Sequence, residues 1–381
     1  MSLLRQKIEQ EIRDLGPMPF SRYMEHCLYD PDLGYYSRSA EQFGKAGDFY
    51  TSSDVHAVFG RLLARQFEEM WRSLGSPNQI DVIELGPGRG LFAQDVLGWT
   101  ENKFPDFFRP LRYVLIESSK VLRRRIHQTL ARHLESGKVE IVEVYPHNEL
   151  LIRGAPTILF ANEFFDALPV EILGAKGSLR IDSRGGRFAE TWAKASPEEL
   201  KFIDEYSVLP ESRERIEVNL AAQQYMDRVA TSIKHGFMVA IDYGYTRDEQ
   251  LAGRHRGTLK AIRQHSVSAN PYEAPGEQDI TADVNFSSLM AAAEEHGMRM
   301  HKLLTQSQFL MGIGEANQFA DAFEECRFAQ ERAKVALQLK HLVTPAGMGE
   351  SFHVLIGSKG IGQEKMESLS GLSFDRRKIG H

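Results

Sequence analysis

Cysteine is nearly absent: Cys27 and Cys326 are the only two in 381 residues. Two cysteines cannot build a disulfide framework. Neither sits in a C-x-x-C or His-rich spacing, so no metal site is expected and a reducing cytoplasm is the default compartment. Long apolar runs are missing as well. Segments such as 157–161 and 237–241 are strand-length, far short of the ~20 residues that span a bilayer. The opening MSLLRQKIEQEIRDLG mixes Glu9, Glu11 and Asp14 with its basic residues, which reads as an amphipathic helix rather than a signal or transit peptide. An excess of positive charge is lacking too: 46 Lys and Arg face 52 Asp and Glu, a formal charge of −6. That balance argues against a nucleic-acid binder working through bulk electrostatics. There are no internal repeats and no low-complexity tract.

What is present is ordinary globular composition, 42% hydrophobic and 26% charged, at a length suited to about two structural units. Residues 1–75 read as a mainly helical region. Leu4, Ile8, Ile12 and Leu15 form a helix-period stripe, a second helix spans 20–27, and a long helix capped by Ser53 or Asp54 runs to about Ser73. From Ile80 the rhythm becomes strand and helix in alternation. Apolar runs at 80–85, 113–117, 139–142, 157–161, 237–243 and 352–356 are separated by helical patterns at 120–135, 220–234, 286–295 and 316–340, as in a doubly wound α/β sheet. Segments 171–181 and 187–192, joined by Ser183-Arg184-Gly185-Gly186, interrupt this alternation as a β-hairpin cap. The expected division is a helical region 1–75 closing over the ligand, an α/β domain 76–357 with an insertion at about 171–219, and a mobile tail 358–381.

The sharpest motif is Glu84-Leu85-Gly86-Pro87-Gly88-Arg89-Gly90 between a strand and a helix. Glycine lets the backbone turn sharply and approach a ligand with no Cβ in the way. A dinucleotide fingerprint needs its third glycine five positions after the first, where this chain has Leu91, and no Walker Lys-Ser/Thr follows. An acid just before the turn suits a ligand with a positive amino group better than a pyrophosphate. S-adenosylmethionine (SAM) has that group, a sulfonium and no phosphate. Glu117, at the end of the next strand, is then placed to accept hydrogen bonds from ribose hydroxyls.

The strand at 157–161 leads into Asn162-Glu163-Phe164-Phe165-Asp166-Ala167-Leu168-Pro169. Ligands of open α/β sheets bind beyond the carboxyl ends of the strands, so Asn162, Glu163 and Asp166 are expected to face the transferable methyl group. Two carboxylates there suit a cationic acceptor such as guanidinium, although both can also cap the following helix. No Pro-Pro-Tyr-type turn and no Pro-Cys setting is present, which moves nucleic acid down as a substrate. Three further clusters can border the site: Gly47-Asp48-Phe49-Tyr50-Thr51-Ser52-Ser53, Asp242-Tyr243-Gly244-Tyr245, and the loop from Ala274 to Ala282. His265 beside them is read as a packing residue.

ELGPGRG, GDFYTSS, ANEFFDALPV, IDYGY and PGEQDITADVNF stand in the order of the MidA-like proteins, and the chain resembles that family over about residues 12–356. The family includes the mitochondrial complex I assembly arginine methyltransferase. The resemblance implies a class I SAM-dependent methyltransferase fold, Rossmann-like, with a seven-stranded mostly parallel sheet. It further implies symmetric dimethylation of an arginine on the subunit of respiratory NADH dehydrogenase known in mitochondria as the 49-kilodalton subunit. Carried over by position, the cofactor loop is Glu84, Gly86, Gly88 and Gly90, and the family's Asn-Glu-x-x-Asp-Ala-Leu-Pro-Val is Asn162, Glu163 and Asp166 to Val170. Glu117 and, from the N-terminal region, Gly47, Asp48 and Thr51 complete the expected cofactor set, and the expected catalytic set is Asn162, Glu163 and Asp166. The family's Thr-Ser-Pro-Glu is Thr51-Ser52-Ser53-Asp54 here, so the local backbone departs from the pattern. A bacterial cytoplasmic protein, or a processed form in the mitochondrial matrix, is expected, with a homodimer left open and no membrane insertion. The alternatives are a SAM-binding assembly chaperone without essential catalysis, and a small-molecule or RNA methyltransferase.

Overall fold

The computed structural model describes residues 2–37, 57–143, 154–263, 266–268 and 270–376. The elements that position the site are, in chain order, helices α1 (Leu3–Leu15), α2 (Phe20–Tyr29) and α3 (Ala57–Ser73), strand β1 (Ile80–Leu85), helix α4 (Leu91–Lys103), strand β2 (Leu111–Ile116), helix α5 (Lys120–Thr129), and strands β3 (Val139–Val142) and β4 (Thr157–Asn162). They continue through β5 (Glu171–Gly174), β6 (Gly177–Arg184), β7 (Arg187–Ala193), β8 (Arg215–Val218), α6 (Leu220–Ser232), β9 (Gly236–Tyr245), α7 (Phe286–Glu295), α8 (Gln306–Glu315) and β10 (Phe352–Lys359).

The central sheet has the order Arg299–Met300, β10, β9, β4, β1, β2, β3, with the two-residue pieces Val284–Asn285 and Leu304–Thr305 beside it. Five neighbours, β9 through β3, are parallel, and β10 runs antiparallel. This is the expected seven-strand, mostly parallel arrangement. Its reason is visible in β1, where every residue of Ile-Asp-Val-Ile-Glu-Leu is buried: a parallel strand covered on both faces has no solvent side. One face packs on α3, α4 and α8, with Phe92 stacked on Phe160 at 4.4 Å between ring centroids. The other packs on α6 and α7. Even the polar Asp81 of β1 is fully buried, and is held by Arg112 of β2 through Nε to Oδ1 at 2.8 Å and a second contact to Oδ2.

Several sequence expectations are corrected by the packing. The single strand expected at 171–181 is divided into β5 and β6 by a tight turn at Gly174–Gly177, and the hairpin becomes a five-stranded antiparallel sheet. In it β6 pairs with β7, with β5 and with Met18–Pro19, while β5 pairs with β8. The N-terminal helices bury Leu4, Ile8, Ile12, Phe20 and Tyr23 against this sheet; Leu15 falls past the stripe and is 80% exposed. The helix expected at 120–135 breaks at Leu130, whose φ of −112° and ψ of 20° leave the helical region. The one expected at 316–340 is two pieces, Ala320–Phe323 and Ala329–Val343. Gln318 and Phe319 take left-handed φ values of 55° and 56° there, and the Phe319 ring folds back into the space where a Cβ on Gly314 would stand. The expectation of a mobile tail past 358 does not hold for 360–376. Met366, Leu369 and Leu372 are buried in the α3 face of the core, and Gln66 and Glu69 of α3 accept the Gly371 and Ser370 N–H groups at 2.9 and 2.8 Å.

Candidate active site

Parallel pairing sets the site. Leu85 pairs with Ile116 and with Ala161, and Ile241 pairs with Asn162, so the residues following β1, β2, β4 and β9 emerge at one edge of the sheet. The chain turns away from β1 with Gly86, Gly88 and Gly90 at φ values of 60°, 55° and 76°, a region that side chains other than glycine rarely enter. The Gly86 N–H is held by Ile116 O at 3.0 Å and the Gly90 N–H by Pro87 O at 2.8 Å. A cleft opens over this turn with about 1320 Å³ of atom-free space, counting the part open to solvent. That is ample for a nucleoside-sized ligand.

Glu84, Gly86, Gly88, Glu117, Asn162, Glu163 and Asp166 all line this cleft. Gly90 does not: it begins α4, and a Cβ there would lie 3.3–3.5 Å from Leu130 and Ile126. Its glycine serves helix entry and packing. Gly47, Asp48, Thr51, the Ser53/Asp54 cap and His265 lie outside the described residues. Lining residues not singled out from sequence include Tyr29, Tyr36 and Tyr225, while Asp279 and Thr281 line it from the 274–282 loop expected to border the site. Asp279 and Thr281 belong to PGEQDITADVNF, so the motif was visible while its buried register was not. Tyr29 and Tyr36 belong to a turn-rich stretch that reads locally as punctuation. Asp30 ties that stretch together by accepting the Asp32 and Leu33 N–H groups at 3.2 and 3.0 Å. The Tyr29 hydroxyl then reaches Ala167 O at 2.9 Å and the Tyr36 hydroxyl reaches Asp279 Oδ1 at 3.0 Å. Ser119, beyond β2, donates its hydroxyl to Tyr36 O at 2.6 Å.

The cleft is acidic at its base. Glu84 is 5% exposed; burial pushes its carboxyl up to about 8, against the pull of the Tyr113 hydroxyl donated at 2.9 Å. Burial likewise pushes Glu117 up to about 7, opposed by the Ser119 N–H at 2.8 Å. Asp166 is raised well above the carboxylate range by burial first and then by the nearby Asp242, Asp279 and Asp283. Asn162 donates to Glu163 Oε1 at 3.1 Å, while its own Oδ1 is buried with no hydrogen bond. Glu163 sits at φ 50°, an unusual backbone for a residue with a side chain. Acids whose proton affinity burial raises are poised to ionise beside a cation.

SAM fits this donor set. Glu84 can take its amino group, Glu117 its ribose hydroxyls, and Phe92, Ile116 and Leu122 give an apolar wall for a base, while Gly88, where a Cβ would meet nothing within 4 Å, leaves the backbone approachable. Comparison with known proteins agrees. A family model described as a candidate S-adenosyl-L-methionine-dependent methyltransferase matches residues 62–304. The mitochondrial protein arginine methyltransferase NDUFAF7 homolog of Drosophila melanogaster is 31% identical over 316 residues, 77% of this chain and 70% of the relative. The human mitochondrial protein arginine methyltransferase NDUFAF7 is 25% identical over 378 residues, covering 90% of this chain and 80% of its own. A Burkholderia thailandensis structure, described as a candidate methyl transferase and bound to S-adenosyl-homocysteine, superposes with a TM-score of 0.81 at 26% identity, over 97% of this chain and 94% of that one. The chain therefore belongs to the MidA-like family of SAM-dependent methyltransferases.

Proposed function

We propose that this methyltransferase modifies an arginine side chain of a protein, and that its acceptor is the subunit of respiratory NADH dehydrogenase matching the mitochondrial 49-kilodalton subunit, symmetrically dimethylated in support of assembly. The observation that carries the reading is the grouping of Glu163 and Asp166 with Asn162 at the end of β4, in the same cleft as Glu84, Gly88 and Glu117. The names of the curated relatives support the arginine class. When bound, SAM supplies an electrophilic methyl group. The chain's own contribution is then positional and electrostatic. Glu84 and Glu117 hold the cofactor end of the cleft. The Glu163 and Asp166 carboxyls take the N–H groups of the incoming guanidinium by charge-assisted hydrogen bonds, which aligns one terminal nitrogen and keeps the positive charge on the rest of the group. Methylation displaces one proton from that nitrogen. A carboxyl oxygen of Asp166, ionised beside the bound guanidinium and given a raised proton affinity by burial, is suited to receive it. Phe164, Leu168 and Tyr225 line the cleft beside these acids.

The test is Glu163→Gln, which keeps shape and removes charge. SAM affinity by calorimetry should change by less than about threefold while transfer of labelled methyl to the purified subunit falls by about 100-fold or more. Unchanged turnover would remove Glu163 from the chemistry. Mass spectrometry of methylated arginines on that subunit, in cells with and without the gene, tests the acceptor. Rescue of assembly by a SAM-binding variant without transfer activity would favour a chaperone instead.

A further inference from the structure

We propose that Asp242 is a positioning residue for methyl transfer: its buried carboxylate gathers three consecutive backbone N–H groups and thereby fixes the turn that presents Glu163 and Asp166 to the acceptor. This inference rests on the role given to Glu163 above.

Asp242 lies in β9, one residue past Ile241, which pairs with Asn162 of β4. That register sets its side chain against the turn leaving β4. Asp242 Oδ2 accepts the N–H groups of Phe164, Phe165 and Asp166 at 3.2, 2.9 and 3.2 Å. Its Oδ1 accepts the Tyr243 N–H at 2.9 Å. The turn is also held at its first residue, where the Glu163 N–H reaches Ile241 O at 2.9 Å, and at its last, where Asp166 O accepts the Ala282 N–H at 3.0 Å. Between those ties the only partner shared by the three middle N–H groups in the described structure is the Asp242 carboxylate.

The chemistry requires an acid there. Four N–H donors engage both oxygens of one side chain, and an amide cannot replace it, because its nitrogen would be a donor facing a donor. The location is otherwise a poor one for a carboxyl. Asp242 is 1% exposed, and burial, then the charge of Glu163, raise its affinity for a proton well above that of an ordinary carboxyl, against the pull of the N–H groups of Phe165, Asp166 and Tyr243. A turn needing only a shape could be held by a hydroxyl or an amide. A carboxyl with both oxygens facing N–H donors, kept beside two further acids, is explained by what the turn carries. Glu163 adopts a φ of 50°, and its carboxyl and that of Asp166 line the cleft, whereas Asp242 does not line it. Asp242 therefore acts through the turn. Replacing one of its acceptor oxygens by a donor should release Glu163 from the unusual backbone and let both carboxyls wander from the acceptor nitrogen, a loss of placement to which transfer rates are sensitive.

Asp242→Asn and Asp242→Glu, in the full chain, test this by three measurements: amide hydrogen exchange at 164–166, SAM affinity by calorimetry, and labelled methyl transfer to the purified 49-kilodalton-type subunit. In Asp242→Asn the exchange at 164–166 should quicken by about tenfold or more and kcat should fall by about tenfold or more, with SAM affinity kept within about threefold. Asp242→Glu, which retains two acceptor oxygens, should lie between wild type and Asn. Wild-type protection of those amides, or wild-type kcat, in Asp242→Asn overturns the proposal. So does an equal loss of SAM affinity and kcat, which marks a general structural role. If the Asn variant does not fold, the Glu variant decides: a several-fold lower kcat at unchanged SAM affinity supports the inference and an unchanged kcat refutes it. Absence of transfer by the unsubstituted protein would sink the arginine reading instead, and the exchange data would still decide whether Asp242 holds the turn.

Discussion

The three glycines after β1 share one backbone conformation and face three different environments, so alanine and valine substitutions should separate their roles. All three have φ between 55° and 76°, where a side chain costs about 1–3 kcal/mol whatever its surroundings. Each variant should therefore lose stability by a similar amount, read as a few degrees in a thermal melt. Ligand affinity should not follow that common loss. At Gly88 a Cβ meets nothing within 4 Å, and the residue lines the cleft. A ligand packed on the bare backbone sits about 3.5–4.0 Å from it, which leaves no room for the two γ-carbons of valine. Gly88→Val should weaken SAM binding about 100-fold or more, near 2.7 kcal/mol, with Gly88→Ala in between. At Gly90 the new Cβ would lie 3.3 Å from Leu130 Cδ1 and 3.4 Å from Ile126 Cγ1, on the helix-packing side, so Gly90→Ala should melt lower with SAM affinity nearly intact. At Gly86 the Cβ would stand 3.0 Å from Phe164 Cδ2, inside the turn that carries Glu163. Gly86→Ala should then reduce methyl transfer more than SAM binding. Calorimetric titration beside thermal melts reads all of this. Near-normal SAM affinity in Gly88→Val, or an equal loss of affinity in Gly90→Ala, would refute the assignment of the cofactor to this turn.

Other outcomes follow from the same geometry. Because the Glu84 carboxyl is raised to about 8 by burial, the folded apo protein holds that proton where an unfolded chain does not. Its contribution is full below the ordinary carboxylate range and is lost as pH rises towards about 8. Urea unfolding of Glu84→Gln should lack that part of the decline, and a parallel decline in both proteins would contradict it. A cation beside Glu84 favours its ionised form, so SAM binding near pH 7 should release protons, measurable in buffers of different ionisation enthalpy, and the release should shrink in Glu84→Gln. Asp81→Ala leaves Arg112 without its buried partner and should destabilise by about 3 kcal/mol with little change in SAM affinity per folded molecule. Truncation after Lys359 removes Met366, Leu369 and Leu372 from the core, each worth about 1.5–3 kcal/mol at most. A fragment as stable as the full chain would mean those contacts contribute nothing.

The parts of the site that could be read in the sequence are those made by consecutive residues. Glu84 to Gly90 announces itself because a sharp strand-to-helix turn needs glycine at fixed positions, and Asn162 to Asp166 because polar residues follow an apolar strand abruptly. The parts that could not be read come from pairings distant in the chain. Nothing local distinguishes Gly88, which opens on the cleft, from Gly90, which packs on α5; the difference lies in where Ile126 and Leu130 arrive. Asp279 reads as a polar loop residue until Lys260–Arg263 pairs with Asp279–Thr281 and buries it beside Tyr36. The tail past 358 looks too polar to pack, since its few apolar residues are spaced irregularly, and only the α3 surface gives them a place.

The sequence by itself determined the α/β alternation, the cofactor turn and the acid-bearing strand end, because each depends on backbone preferences and burial patterns within a few residues. Tertiary structure alone decided which acids share one cleft, how far burial raises their proton affinity, and which buried carboxylate holds the acceptor turn. Those properties depend on strand register and on the exclusion of water, and register joins residues such as Ile241 and Asn162 that are far apart along the chain.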